Sequence, residues 1–189
     1  MELIGPYLIG CTLLALAGAM KAARPDDTAR ALARLLRGRL RPLVPFRRMR
    51  TAVRTVSCLE AGLGLVALMF PRPVVAGLVV ASYLAFAGVV AYARSQGGAL
   101  ASCGCFGTPD TPATLLHVAV DVVLAVAGLL VAVNAPTSGS ILTVLAHEPL
   151  HGLPLVMVTA VGAWLTYLTL SVLAALQAAR LALASREAR

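Results

Sequence analysis

What this chain has little of is charge. Only 13% of its 189 residues are Asp, Glu, Lys or Arg, while 59% are apolar and the mean hydropathy is +0.87. A soluble domain of this length needs a polar skin, and these residues cannot supply one. Cysteine is sparse as well. Cys11, Cys58, Cys103 and Cys105 make up the full set, too few for a disulfide-dense secreted scaffold. Aromatic residues are 5% of the chain, and no aromatic platform stands beside its basic stretches, so the net charge of +8 does not describe a nucleic-acid binder. There is no haem, flavin or nucleotide motif, no internal repeat and no low-complexity tract. The chain starts Met1-Glu2, without the positive start of a signal peptide, although Ala15-Leu16-Ala17 has the small residues of a cleavage site. The first apolar run is therefore expected to stay as a membrane span.

What the chain does have is long apolar runs, at about residues 4–20, 53–70, 74–93, 114–133 and 153–176. Each is long enough to cross a hydrocarbon core of roughly 30 Å at about 1.5 Å per residue. The expected fold is all-α: a polytopic membrane helical bundle, formed as one domain over residues 1–189. Pro71-Arg72-Pro73 is the whole connection between the second and third spans, which must therefore form a tight antiparallel hairpin. The stretch 135–152 leaves room for a short interfacial helix at about 141–146.

Residues 22–51 have a different character. Pro25, Asp26, Asp27 and Thr28 form a good helix start, with acidic groups at the positive end of the dipole. Arg30, Arg34, Arg37 and Arg41 then recur at helical spacing, largely opposite Leu32, Leu35, Leu36 and Leu40. This pattern predicts a basic amphipathic helix over 28–41 that lies in the membrane interface and binds anionic lipid, ended by Pro42 and Pro45.

Taking side A as the face that carries the loop between spans one and two, every Lys and Arg except Arg72 falls on side A. The positive-inside rule places that side in the cytoplasm and the N-terminus outside a multi-pass protein of the cell membrane. Side A also collects the reactive side chains. Cys58 sits near the start of span two, Cys103 and Cys105 lie in the loop after span three, and His117 and Asp121 fall in the first turns of span four. His117 and Asp121 are four apart and share a helix face. An acidic group inside a span costs about 2.5–3.5 kcal/mol at mid-bilayer, so Glu60 and Asp121 are expected to face the bundle interior or pair with a polar group. The neighbours of Glu60 at Gly64 and Ala67 make a small-residue strip on which another helix can pack closely. Cys11, in the other half of span one, reads as a small packing residue.

Cys103-Gly104-Cys105 is the sharpest local feature. Two thiols around a glycine can close a small, strained and easily reduced disulfide ring. The pair supports three readings. In the first, Cys103 and Cys105 exchange thiols with a partner, Cys58 serves as a third thiol, and Glu60 or His117 moves the proton; the electrons then come from another protein or a quinone. In the second, the thiolates bind a soft metal with Cys58 or His117 as a further donor. The third is a membrane scaffold without catalysis.

Several of these segments are similar to the MauE family of methylamine-utilisation membrane proteins, related to the DoxX-like redox-associated bundles. The most specific is Ser102-Cys103-Gly104-Cys105-Phe106-Gly107. Beside it stand Gly18-Ala19-Met20-Lys21, the run Cys58-Leu59-Glu60-Ala61-Gly62-Leu63-Gly64-Leu65, and His117 to Asp121 early in the next helix. The resemblance runs from about residue 4 to residue 133. It implies a four-helix core, here followed by a fifth C-terminal span. It also implies a helper of disulfide chemistry that works with a thioredoxin-like protein or another membrane or secreted redox partner. The family's expected orientation puts the cysteine pair outside the cytoplasm, opposite to the orientation that the charges here indicate.

Overall fold

The computed structural model describes residues 4–35, 45–95, 115–134, 145 and 149–187. Among them the chain is helical, without strands: α1 Ile4–Ala23, α2 Pro25–Leu35, α3 Phe46–Met69, α4 Pro73–Ser95, α5 Leu115–Asn134, a 3₁₀ turn Pro149–Gly152, and α6 Leu153–Glu187. Five of these helices, all but α2, are long and apolar enough to span a membrane, which is the expected polytopic bundle.

The core is built around α1. Tyr7, Cys11 and Leu14 of α1 are fully buried and meet Ala67 of α3, Ala76 and Val79 of α4, Leu124 of α5 and Ala163 of α6. The tightest contact is between α1 and α3, and small residues cause it. A Cβ on Gly18 would stand 2.6 Å from the backbone nitrogen of Ala61 and 2.8 Å from the carbonyl oxygen of Ser57. On the facing helix, a Cβ on Gly64 would stand 2.6 Å from the nitrogen of Ala15 and 2.7 Å from the oxygen of Cys11. Lipid gives helices no hydrophobic reason to associate, so close backbone approach of this kind supplies the packing. The strip expected at Gly64 and Ala67 is thus the face of α3 that receives α1, and both residues are buried. Cys11 is the packing residue it was expected to be, with no exposed surface.

The helix ends follow local chemistry. Phe70 closes α3 by donating its N–H to the Val66 carbonyl, Arg72 donates to Phe70, and α4 starts at Pro73, where a missing N–H breaks no helical bond. Farther along α4, the Tyr83 hydroxyl donates a 2.6 Å hydrogen bond to the Gly10 carbonyl and ties α4 to α1 inside the core. α3 begins at Phe46 and contains the apolar span expected at about 53–70: Pro45 acts as its N-terminal boundary, and the basic run 46–52 continues the helix out of the apolar zone. The amphipathic helix starts at Pro25, at the Pro25-Asp26-Asp27-Thr28 helix start read from the sequence, and is described to Leu35. Its buried face is Pro25, Ala29 and Ala31, and Asp26 pairs with Arg50 of α3 at 2.9 Å while Asp27 pairs with Arg30. The rest of the expected 28–41 helix, and all of the expected 141–146 helix but Leu145, lie outside the described residues.

Candidate functional site

Four helix ends meet at one end of the bundle: the C-termini of α1 and α4 and the N-terminal halves of α3 and α5. Lys21, in the last turn of α1, points inward with its side chain 8% exposed. Its ammonium donates a 2.6 Å hydrogen bond to the Glu60 carboxylate of α3, itself 13% exposed. The same ammonium stands 4.3 Å from the centroid of the Phe86 ring of α4, a cation–π contact. Glu60 was expected to turn inward and find a polar partner; Lys21 is that partner. The close approach at Gly18 makes the pair possible, because it brings the last turn of α1 against the α3 turn that holds Ser57 and Glu60. Arg54 adds a clasp from α3, donating from Nε to the Ala22 carbonyl at 3.1 Å and covering the end of α1.

Behind the ion pair lies a cavity of about 40 Å³, large enough for about one water molecule. Lys21 lines it from α1, Tyr83 and Phe86 from α4, and His117 and Asp121 from α5. His117 is buried and Asp121 half-buried one turn deeper, on the shared face their spacing requires. Lys21 and Asp121 border the same cavity. Lys21, Glu60, His117 and Asp121 therefore form one polar cluster, with Lys21 and His117 buried and Glu60 and Asp121 partly so. In lipid such a cluster persists only if its members compensate one another, because a lone buried charge is far more costly than a paired one.

Cys58 is placed apart from the cluster. Its neighbour Ser57 faces inward and is buried, while Cys58 is exposed on the outer side of α3 and lines neither the cavity nor the groove in front of the ion pair. Cys103 and Cys105 lie outside the described residues. What is described is the pair of helix ends that bound their segment, Ser95 of α4 and Leu115 of α5, with His117 just inside the second. Among the described residues, no three His, Cys, Asp or Glu side chains gather as a metal-binding group.

Ser57, Tyr83 and Phe86 are the site residues that sequence reasoning did not single out, and Lys21 entered it only as the end of the Gly18-Ala19-Met20-Lys21 segment. Lys21 is the only lysine in the chain and the only basic residue at the end of an otherwise uncharged first span. That signal was legible, although as a topology charge it carried no partner.

The family model of the methylamine utilisation protein MauE matches residues 2–134. This stretch contains α1 to α5 and every member of the polar cluster, and it leaves α6 outside. No curated protein and no solved structure matches the chain.

Proposed function

The chain belongs to the MauE family, and from that premise we propose that this multi-pass membrane protein is an accessory factor for disulfide chemistry on a partner protein, with Cys103 and Cys105 as the exchanging pair. Family membership supports a membrane accessory role of the kind used in methylamine utilisation. The observation that carries the finer reading is the convergence at one end of the bundle. The helix ends that bound the Cys103-Gly104-Cys105 segment lie where Lys21, Glu60, His117 and Asp121 gather.

The chemistry is thiol–disulfide exchange. The thiolate of one cysteine attacks a sulfur of the partner's disulfide, forming a mixed disulfide and releasing a partner thiolate. The second cysteine then attacks the mixed disulfide. The Cys103–Cys105 disulfide forms and the partner leaves as a dithiol, having gained the two electrons that the pair lost. The opposite direction runs through the same mixed disulfide. His117 is the member of the cluster nearest in sequence to the thiol segment, and His117 or Glu60 takes or returns the proton. The partner is a thioredoxin-like protein or another membrane or secreted redox protein. The basic residues of the stretch 28–41 rest on anionic lipid.

The test is to trap the protein with an alkylating reagent across a redox titration and to weigh it. A paired loss of two alkylation sites with one midpoint, abolished by Cys103→Ser or Cys105→Ser, is the expected result. Full trapping of a partner by the double serine variant would remove the pair from the mechanism and leave a scaffold role. Orientation is tested alongside. The charge bias puts side A in the cytoplasm, so impermeant labels should reach a cysteine placed at Thr137 from outside, and one placed at Arg186 only after the membrane is opened.

A further inference from the structure

We propose that the groove in front of the Lys21–Glu60 pair is a binding site for a membrane-dissolved quinone, entered from the lipid between α3 and α4. The groove has a volume of about 350 Å³, within the roughly 300–1,000 Å³ range of small-molecule sites. Leu32 of α2 covers it on one side. Val56 of α3 and Val89 of α4 form its walls, Phe86 stands at the back, and Lys21 and Ser57 supply the polar end. Val56 and Val89 are 52% and 46% exposed, so this opening faces the bilayer and not the cluster behind it.

The polar end selects the head group. Lys21 has three N–H donors, of which Glu60 accepts one, and its positive charge is already balanced by that carboxylate. A phosphate or carboxylate head would meet no uncompensated positive charge here and would face Glu60 as a like charge. A neutral carbonyl oxygen is the better match: it accepts from the ammonium and leaves the ion pair intact. The walls call for an apolar body, and Phe86 adds aromatic surface beside the ammonium. A carbonyl-bearing ring on a hydrocarbon tail combines these features, and the tail leaves through the opening between Val56 and Val89.

The role of the bound quinone rests on the thiol reading above. In the opposite direction of that exchange the pair oxidises a partner dithiol and is left reduced; its return to a disulfide releases two electrons and two protons, and a quinone that takes up both becomes a quinol, so the reaction balances with no further reactant. Lys21 lines both the groove and the inner cavity shared with His117 and Asp121. The donor at the quinone carbonyl therefore borders the groups that exchange protons with the thiol side.

The experiment uses the full-length protein in nanodiscs of neutral phospholipid, with decylubiquinone as the probe. Wild type should bind it saturably. Val56→Trp should fill the groove and weaken binding by about tenfold or more, while Leu78→Trp, on the lipid face of α4 away from the groove, should leave it unchanged. An azido-quinone crosslink mapped by mass spectrometry should fall on groove-lining residues of α3 and α4, a readout that needs no variant to fold. Equal affinity of Val56→Trp and wild type, or crosslinks confined to other faces, would overturn the site. The thiol step is read separately, as the loss of quinone absorbance when the pre-reduced protein is mixed with decylubiquinone. Binding that depends on Val56, with quinone reduction unaffected by the Cys103→Ser, Cys105→Ser double substitution, would keep the site and sink the thiol reading.

Discussion

α1 and α6 are both apolar enough to span a membrane, yet they are used in different ways. The spanning window of α1 has the lower hydropathy, 1.4 against 1.8 for α6, but half of it is buried in the bundle against 11% for α6. Hydropathy therefore does not say which span is the centre. Small residues and a charge do. α1 carries Cys11, Ala15 and Gly18 along one face, which lets the α3 backbone approach, and it ends in Lys21, which needs Glu60. α6 exposes Trp164 and Leu165. The family match follows the same division, ending at 134 before α6 begins. The family-defining part is the part with close packing and buried polar groups, and α6 is attached to its side.

The largest expected effect, and the most direct way to break this comparison, is at the ion pair. Lys21→Met removes the partner of a buried carboxylate, and stranding one member of such a pair costs about 3–5 kcal/mol. Thermal or SDS-induced unfolding of the purified protein should show a drop of that order. Adding Glu60→Gln to Lys21→Met should recover much of it, since two neutral residues no longer need each other. Equal destabilisation by the single and double variants would mean that the pair does not hold the core together.

Next in size is the α1–α3 contact. In Gly64→Ala the new Cβ meets the backbone of Ala15 and Cys11 at 2.6 and 2.7 Å. Backbone cannot move aside as a side chain can, so the two helices must separate, at a cost of about 1–3 kcal/mol. Gly18→Ala should behave alike, and both should also loosen Lys21 from Glu60. Unchanged unfolding for both variants would show that the close approach does not hold the core.

How much of this was legible beforehand follows from what each residue's signal contains. The spans were readable because lipid demands long apolar runs and the chain supplies them, and Gly64 with Ala67 was readable as a packing strip because spacing on one helix is local information. The inward turn of Glu60 followed from the cost of a carboxylate in lipid. Its partner did not. Lys21 lies 39 positions away, and only the register between α1 and α3 brings the two together. Cys58 illustrates the opposite limit. Depth along span two placed it at the correct end of the bundle, but depth carries no rotation, and the helix turns its side chain outward while Ser57 faces in. The apolar span expected at about 53–70 sits within a longer helix, because Pro45 and the continuing helical bonds carry the arginines of the preceding basic run on α3 itself.

A smaller effect sharpens the assignment of Cys11. Its thiol is fully buried between Tyr7, Leu14 and the facing helices. Cys11→Ala removes one sulfur from a packed core, and its cost should be of the order of 1 kcal/mol. Thiol exchange by Cys103 and Cys105 should be unchanged, measured as the rate of mixed-disulfide trapping. Loss of trapping with stability intact would make Cys11 a redox participant and contradict its packing role.

The smallest expected effect tests the other side of the comparison. Gly162 of α6 faces α1 as Gly64 does, and a Cβ there would also come close to a neighbour. The neighbour differs in kind: it is Cδ1 of Ile9, the far end of a side chain that can turn to another rotamer, and no backbone atom lies near. Gly162→Ala therefore needs only a local adjustment, and the alanine also favours the helix by about 1 kcal/mol relative to glycine. The two contributions should nearly cancel, leaving unfolding within about 0.5 kcal/mol of wild type. A loss as large as that of Gly64→Ala would mean that α6 is held as tightly as α3, and the division between a packed family core and an attached C-terminal span would fail.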